Sequence, residues 1–318
     1  MTREVQVIEN KLGVNFSSWD MSSEGLFLGK LNGQTVQEND GVSVLLEDAW
    51  EAFLDGRAPQ LVSPNSIEAQ PSGNGKSVLV SRYIPGRRAE IYVLDRTTGE
   101  QNKVADGEAV PARWVGTSDI AYSDGVSLRR KNPQTGLQID TPLLPVQRPT
   151  PAKQIYQTYL YSPGGDKLAY ADGLNLWLMN SDGSQRTILT RNFSSSSLFR
   201  PNMAWSADGS KLAYTAWLST DDRRPQLWVI GGDGSLPKLL AQGFAGEFSR
   251  PSWFPDGQAV LFGSYSGGGT GEVRVAKTDG SGLLSLFQGL KPELSPDGRK
   301  VAFQRNEKEL RVAFLGTP

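Results

Sequence analysis

Apolar and polar residues alternate in short runs along most of this chain, and Gly-containing turns separate the runs. The clearest run ends at Trp205, turns through Ala207-Asp208-Gly209, and returns as Lys211-Leu212-Ala213-Tyr214-Thr215. Runs of this length rich in β-branched and aromatic residues read as strands, and adjacent Asp-Gly supplies the left-handed residue that a tight hairpin needs. A third run, Gln226 to Ile230, leads to a second turn at Asp233-Gly234, and a fourth ends near Leu240. The pattern predicts a four-stranded antiparallel meander.

The meander recurs. WSADGSKLAY at 205–214 returns as WFPDGQAVLF at 253–262 and LSPDGRKVAF at 294–303, and more loosely as YSPGGDKLAY at 161–170. The second turn returns at Asp182-Gly183 and Asp279-Gly280, with Thr98-Gly99 and Thr135-Gly136 in its place earlier. With Gly75, Ser118, Gly165, Gly209, Gly257 and Gly298 as markers, the period is about 45 residues, that of a propeller blade. The expected fold class is all-β, a β-propeller of four-stranded antiparallel blades.

Ahead of the six clear repeats of 66–318, WDMSSEGLFLGKL at 19–31 reads as part of a degenerate first blade, which brings the count to seven. The alternative is six blades with residues 10–60 as an N-terminal elaboration, in which LLEDAWEAF at 46–54 has the spacing of an amphipathic helix. The last copy stops after its third strand, Leu310 to Leu315, while Glu4 to Glu9 is a β-like run without a partner. An N-terminal strand completing the last blade would cover its exposed edge. Residues 1–318 are therefore expected to form one propeller domain.

Composition narrows the chemistry. A net charge of −1 with interspersed signs gives no global attraction to nucleic acid or an anionic membrane. No apolar run approaches the ~20 residues that span a bilayer, so no membrane insertion is expected, and the chain reads as a soluble monomer. MTREVQVIEN has no apolar h-region, so no signal peptide is read there and a cytoplasmic location stays open. The chain contains neither His nor Cys. Ser-His-Asp and Cys-His catalysis, thiolate or imidazole metal sites, His- or Cys-ligated haem and disulfides are thereby excluded within it. No cofactor or metal is expected, and carboxylate, Tyr or Lys chemistry is what remains for catalysis.

Gly73-Asn74-Gly75-Lys76-Ser77 has the look of the end of a phosphate-binding loop, but Gln70 stands where that motif needs Gly. Its alignment with Asp297-Gly298-Arg299 makes it a blade hairpin. Trp114, Trp205 and Trp253, with Tyr161 and Leu294, share one repeat slot, and a periodic large residue is expected between blades.

One constellation stands out. Just before the first strand of three successive copies, a basic residue precedes Pro: Arg200-Pro201, Arg250-Pro251 and Lys291-Pro292. In a propeller that segment lies at the mouth of the central channel, where converging cations attract a carboxylate or another anion. Asn202 and Arg113 are expected as further donors, with Glu247 and Glu293 as acidic neighbours.

The repeated xPxWSPDGxxLAY...LWVMNxDGS...LT pattern, as in 201–234 and in 159–190 with its closing Leu189-Thr190, resembles the TolB-like, WD-repeat-like propeller repeat over about 66–315. The resemblance implies a periplasmic, bacterial-envelope protein whose channel mouth binds a protein segment. TolB carries an α/β domain ahead of its propeller, whereas about 65 residues precede the repeats here, so the chain resembles a TolB-like relative. The expected function is non-catalytic capture of a protein or peptide segment, or a small anion, at that mouth. The alternative is a carbohydrate-active hydrolase or lyase using Glu247 and Glu293 as paired carboxylates.

Overall fold

The computed structural model describes residues 2–8, 16–21, 25–37, 43–55, 57–86, 88–108, 112–124, 127–142, 158–171, 175–190, 202–217, 224–243, 248–265, 271–306 and 309–315. By internal contacts the chain divides into two compact units, Met1–Ile8 with Leu144–Pro318, and Glu9–Leu143. All regular structure among the described residues is β, arranged in six antiparallel sheets.

The first unit opens with β1 (Thr2–Ile8). The Glu9–Leu143 unit follows, where β2 (Phe16–Met21), β3 (Gly25–Gln37), β4 (Ser43–Phe53), β5 (Gln60–Pro71), β6 (Ser77–Ile84), β7 (Arg88–Asp95) and β8 (Gln101–Glu108) form one seven-stranded sheet in chain order. A four-stranded sheet, β9 (Arg113–Val115), β10 (Asp119–Ser123), β11 (Ser127–Lys131) and β12 (Gln138–Pro142), completes that unit.

Two expectations are corrected here. The blades number six, because Trp50 pairs with Leu61 and Glu51 with Gln60, so β2–β4 extend the first repeat's sheet instead of forming a seventh. Phe27 of β3 and Ala49 of β4 pack with Ala69, Val78 and Val80 of that same sheet. The elaboration alternative is thus the one observed. Residues 46–53 are strand, not helix. Leu46 and Ala52 on one face and Ala49, Glu51 and Phe53 on the other are all buried, and a strand covered on both faces loses the clean alternation that identifies one.

Back in the first unit, three four-stranded sheets follow in order. They are β13 (Thr158–Tyr161), β14 (Lys167–Ala171), β15 (Leu176–Asn180) and β16 (Thr187–Thr190); then β17 (Met203–Trp205), β18 (Lys211–Trp217), β19 (Pro225–Gly231) and β20 (Lys238–Gln242); then β21 (Ser252–Trp253), β22 (Ala259–Tyr265), β23 (Gly271–Lys277) and β24 (Leu283–Gln288). The last sheet contains β25 (Leu290–Leu294), β26 (Lys300–Asn306) and β27 (Glu309–Leu315), and β1 pairs antiparallel with β27, Val5 beside Ala313 and Ile8 beside Leu310. The N-terminal strand completes the final blade as expected.

The hairpin reading holds in detail. Gly75, Gly165, Gly209, Gly257 and Gly298 all sit at positive φ, and so do the second-turn glycines from Gly99 to Gly280. In the second repeat the left-handed residue is Gly116, two places before the marker Ser118.

Burial explains why the middle strands read as nearly continuous apolar runs. On β18, Leu212 and Tyr214 pack with Leu178 of the preceding sheet, while Ala213 packs with Val260 and Phe262 of the following one. Each fully buried Leu contributes about 1.5–3 kcal/mol of transfer free energy.

The periodic Trp ties neighbouring sheets. Trp205 Nε1 donates to the Leu160 carbonyl at 3.1 Å and Trp253 Nε1 to that of Ala204 at 2.9 Å; in the other unit, Trp114 Nε1 donates to that of Gln70 at 3.0 Å. The slot is an inter-blade contact, and in these three sheets it fixes the strand that opens the sheet against β13, β17 or β5 of the sheet before.

Candidate functional site

The segments leading into β17, β21 and β25 belong to the first unit and are bonded to one another in series. Asn202 is anchored to β18, its N–H donating to Thr215 Oγ1 at 3.0 Å and its carbonyl accepting from Thr215 N–H at 2.9 Å. Its side-chain amide reaches the next lead-in and donates to the Phe248 carbonyl at 3.1 Å. Phe248 bridges to Ser264, and Ser249 N–H donates to the Gly263 carbonyl at 2.9 Å, so residues 248–249 are held along β22.

The third lead-in abuts the second. A Cβ on Gly263 would lie 2.8 Å from Pro292 Cδ, so the absence of a side chain there lets the Pro ring approach. Ser252 Oγ donates to Glu293 Oε1 at 3.2 Å and accepts from Leu294 N–H at 3.3 Å. Lys291 has φ +45°, a left-handed conformation that costs a non-Gly residue about 1 kcal/mol or more. Its N–H donates to Tyr265 Oη at 2.7 Å.

Within this arc, Pro251 and Pro292 are buried, Arg250 is half-buried and Lys291 is exposed. Among the described residues the Arg250 guanidinium has no ion-pair partner. The structure therefore brings Asn202 and Arg250, on the segments entering β17 and β21, into one series with Lys291 at the start of β25. Arg200 and Glu247 lie outside the described residues.

Arg113 is placed differently. It lies on β9 in the Glu9–Leu143 unit and ion-pairs with Glu68 of β5 at 2.5 Å, both side chains about four-fifths buried. Its charge is neutralised by that partner, and Asn202 spends its amide on tying two lead-ins together. Both serve as structural donors at positions where ligand contacts are expected from the sequence. Glu293 is held by Ser252, an environment that anchors a carboxylate in place.

Sequence reasoning missed a cleft of about 460 Å3 in the Glu9–Leu143 unit, lined by residues of the β4–β5 hairpin and of the segment that joins β7 to β8. At its inner end Glu51 pairs with Arg96 at 2.6 Å, the Glu51 side chain only 8% exposed. The one available signal was Glu51 itself, a carboxylate flanked by apolar residues that has to find a cation when buried.

No known family's sequence profile matches the chain. Its fold is shared with several solved structures. The β-propeller domain of the Trilobed protease from Pyrococcus furiosus, described as having an open velcro topology, matches with TM-score 0.62 at 11% identity over 96% of each chain. An oligogalacturonate lyase in complex with manganese matches with TM-score 0.60 at 14% identity over 99% of each chain. A putative TolB from Agrobacterium tumefaciens matches with TM-score 0.51 at 17% identity, over 96% of this chain and 91% of that one. Against TolB from Acinetobacter baumannii the TM-score is 0.49 at 15% identity, and the chain spans 60% of that protein's length. These likenesses show a β-propeller resembling TolB and other propellers, the fold and not an activity.

Proposed function

We propose that this is a non-catalytic, TolB-like binding propeller that captures an anionic segment of another protein on the lead-ins of its first unit. Arg250 and Lys291 make the anion contacts, and Arg200, the basic residue of the third basic-Pro pair in the sequence, is the further expected contact. The observation that carries the reading is the half-buried Arg250 guanidinium, without an ion-pair partner among the described residues, on a lead-in fixed by the Asn202–Phe248 and Ser249–Gly263 hydrogen bonds. A fixed cation loses little ordering entropy on association, and Arg offers a bidentate fork to a carboxylate. The resemblance to TolB favours the periplasm as compartment and a protein segment as ligand. A small anion is the simpler occupant of the same contacts.

Fluorescence anisotropy with a labelled Asp-rich peptide and its Asn-substituted counterpart tests the proposal. The acidic peptide is expected to bind wild type, and Arg250→Glu with Lys291→Glu to weaken it by about tenfold or more. Equal affinity for the two peptides, or for the two proteins, would overturn it.

A further inference from the structure

We propose that the Glu9–Leu143 unit holds a second site, for a neutral saccharide, in the cleft between the β4–β5 hairpin and the segment joining β7 to β8. Its volume of about 460 Å3 falls in the ~300–1,000 Å3 range of small-ligand pockets.

The apolar part of the lining is Phe53, Leu61, Val62, Val78 and Leu94, which suits the C–H face of a sugar ring. The inner ion pair is already satisfied: Arg96 Nη2 meets Glu51 at 2.6 Å and Arg96 Nη1 donates to the Gly75 carbonyl at 2.7 Å. Gln101 already donates to the Val62 carbonyl at 3.3 Å and accepts from Arg82 Nη2 at 3.2 Å, so ligand recognition falls to three other planar polar groups, those of Arg57, Gln60 and Asp95.

Each of these three has unused hydrogen-bonding capacity among the described residues. Arg57 spends Nε on Asp55 at 2.7 Å and lies 4.0 Å from the Phe53 ring centre, so its plane is set while both Nη groups stay available. Asp95 uses Oδ1 to accept from Thr97 and Thr98 N–H at 2.7 and 3.0 Å, leaving Oδ2. Those same hydrogen bonds hold its carboxyl below the usual Asp range, so it is ionised at neutral pH. The Gln60 amide both donates and accepts.

This set selects for hydroxyl groups. Arg57 only donates and Asp95 only accepts, so a ligand must offer both functions. A carboxylate has nothing to give Asp95, and an ammonium has nothing to accept from Arg57. The ionic residues that line the cleft, Glu51 and Asp95 against Arg57 and Arg96, sum to zero charge. A neutral polyol ring meets all of these conditions.

The test is saturation-transfer NMR followed by calorimetry on the full chain, with glucose, galactose, mannose, maltose and cellobiose as probes and galacturonate and glucosamine as charged controls. At least one neutral sugar is expected to bind, and Arg57→Gln with Gln60→Ala to weaken it by about tenfold. Asp95→Asn keeps an Oδ1 acceptor for its turn, so it should fold and still weaken binding. Arg250→Glu should leave sugar binding unchanged, which separates this site from the lead-in arc. No neutral sugar binding up to about 20 mM, a preference for the charged controls, or binding indifferent to both cleft variants would each overturn the proposal.

Discussion

Trp253 gives its indole N–H to the carbonyl of Ala204 at 2.9 Å, tying the first strand of one sheet to the first strand of the sheet before it. Trp205 makes the same bond to Leu160. Leu294 occupies the slot in the last repeat, where Ser252 and Glu293 supply the tie instead. Trp253→Phe keeps one aromatic ring and removes the pyrrole with its donor, leaving a carbonyl without its partner. It should destabilise the protein by about 1–2 kcal/mol, read as a lower urea midpoint at unchanged m-value, with Leu294→Phe as a contrast that breaks no such bond.

Gly298 and Gly257 separate two costs of a side chain. Both are left-handed, with φ +71° and +65°, but a Cβ on Gly298 would lie 2.6 Å from Pro255 Cδ while one on Gly257 meets nothing within 4 Å. Gly257→Ala should cost about 1 kcal/mol from conformation alone. Gly298→Ala should cost clearly more, about 2–4 kcal/mol. Thermal melts of the two variants side by side measure the difference, and equal melting points would contradict the packing described.

The turn carboxylates set an acid limit. Asp208 is held down to about 2 by the Ser206 hydroxyl, then by the Ser210 backbone N–H and hydroxyl. Asp166 and Asp297 are lowered chiefly by the hydroxyls of Ser162 and Ser295. A folded-state pKa below the unfolded one means stability that is fully present above the unfolded value of 3.8 and is lost as pH falls toward about 2. Asp208→Asn should therefore flatten the decline in melting temperature between those two pH values and change little at pH 7 in that slope. An unchanged acid slope would count against the turn geometry.

Arg113 and Arg250 should behave oppositely. Arg113→Gln breaks the pair with Glu68, whose partners are 22% and 20% exposed, and should cost about 1 kcal/mol of stability without changing peptide affinity. Arg250→Gln should leave the melt nearly unchanged and weaken the Asp-rich peptide. Denaturation and anisotropy on both variants give the four values.

The turns were legible because Asp-Gly and Thr-Gly pairs have a local cause, the left-handed residue, that needs no tertiary knowledge. Closure of the last blade by β1 was legible because a three-stranded remainder at one end matched an unpaired run at the other. β4 was not. Its apolar residues fall on both faces because β4 is an inner strand of the extended first-repeat sheet, buried on both sides, and that spacing imitates a helix. The cleft was hidden for the same reason, since Glu51, Arg57 and Gln60 meet Asp95 and Arg96 only once β4 is known to be a strand beside β5. Of the basic lead-ins, the sequence carried the shared position of Arg250 and Lys291 but not the use of Asn202 as a tie, nor the pairing of Arg113 with Glu68, which depends on a residue 45 positions away.

Hydrogen exchange with and without the Asp-rich peptide tests the central claim most directly. The capture reading predicts slowed amide exchange at Ser249, Arg250, Ser252, Lys291, Glu293 and Leu294 when the peptide is bound, with Arg113 to Val115 unaffected. Protection absent from those lead-ins, or confined to the Glu9–Leu143 unit, would contradict it.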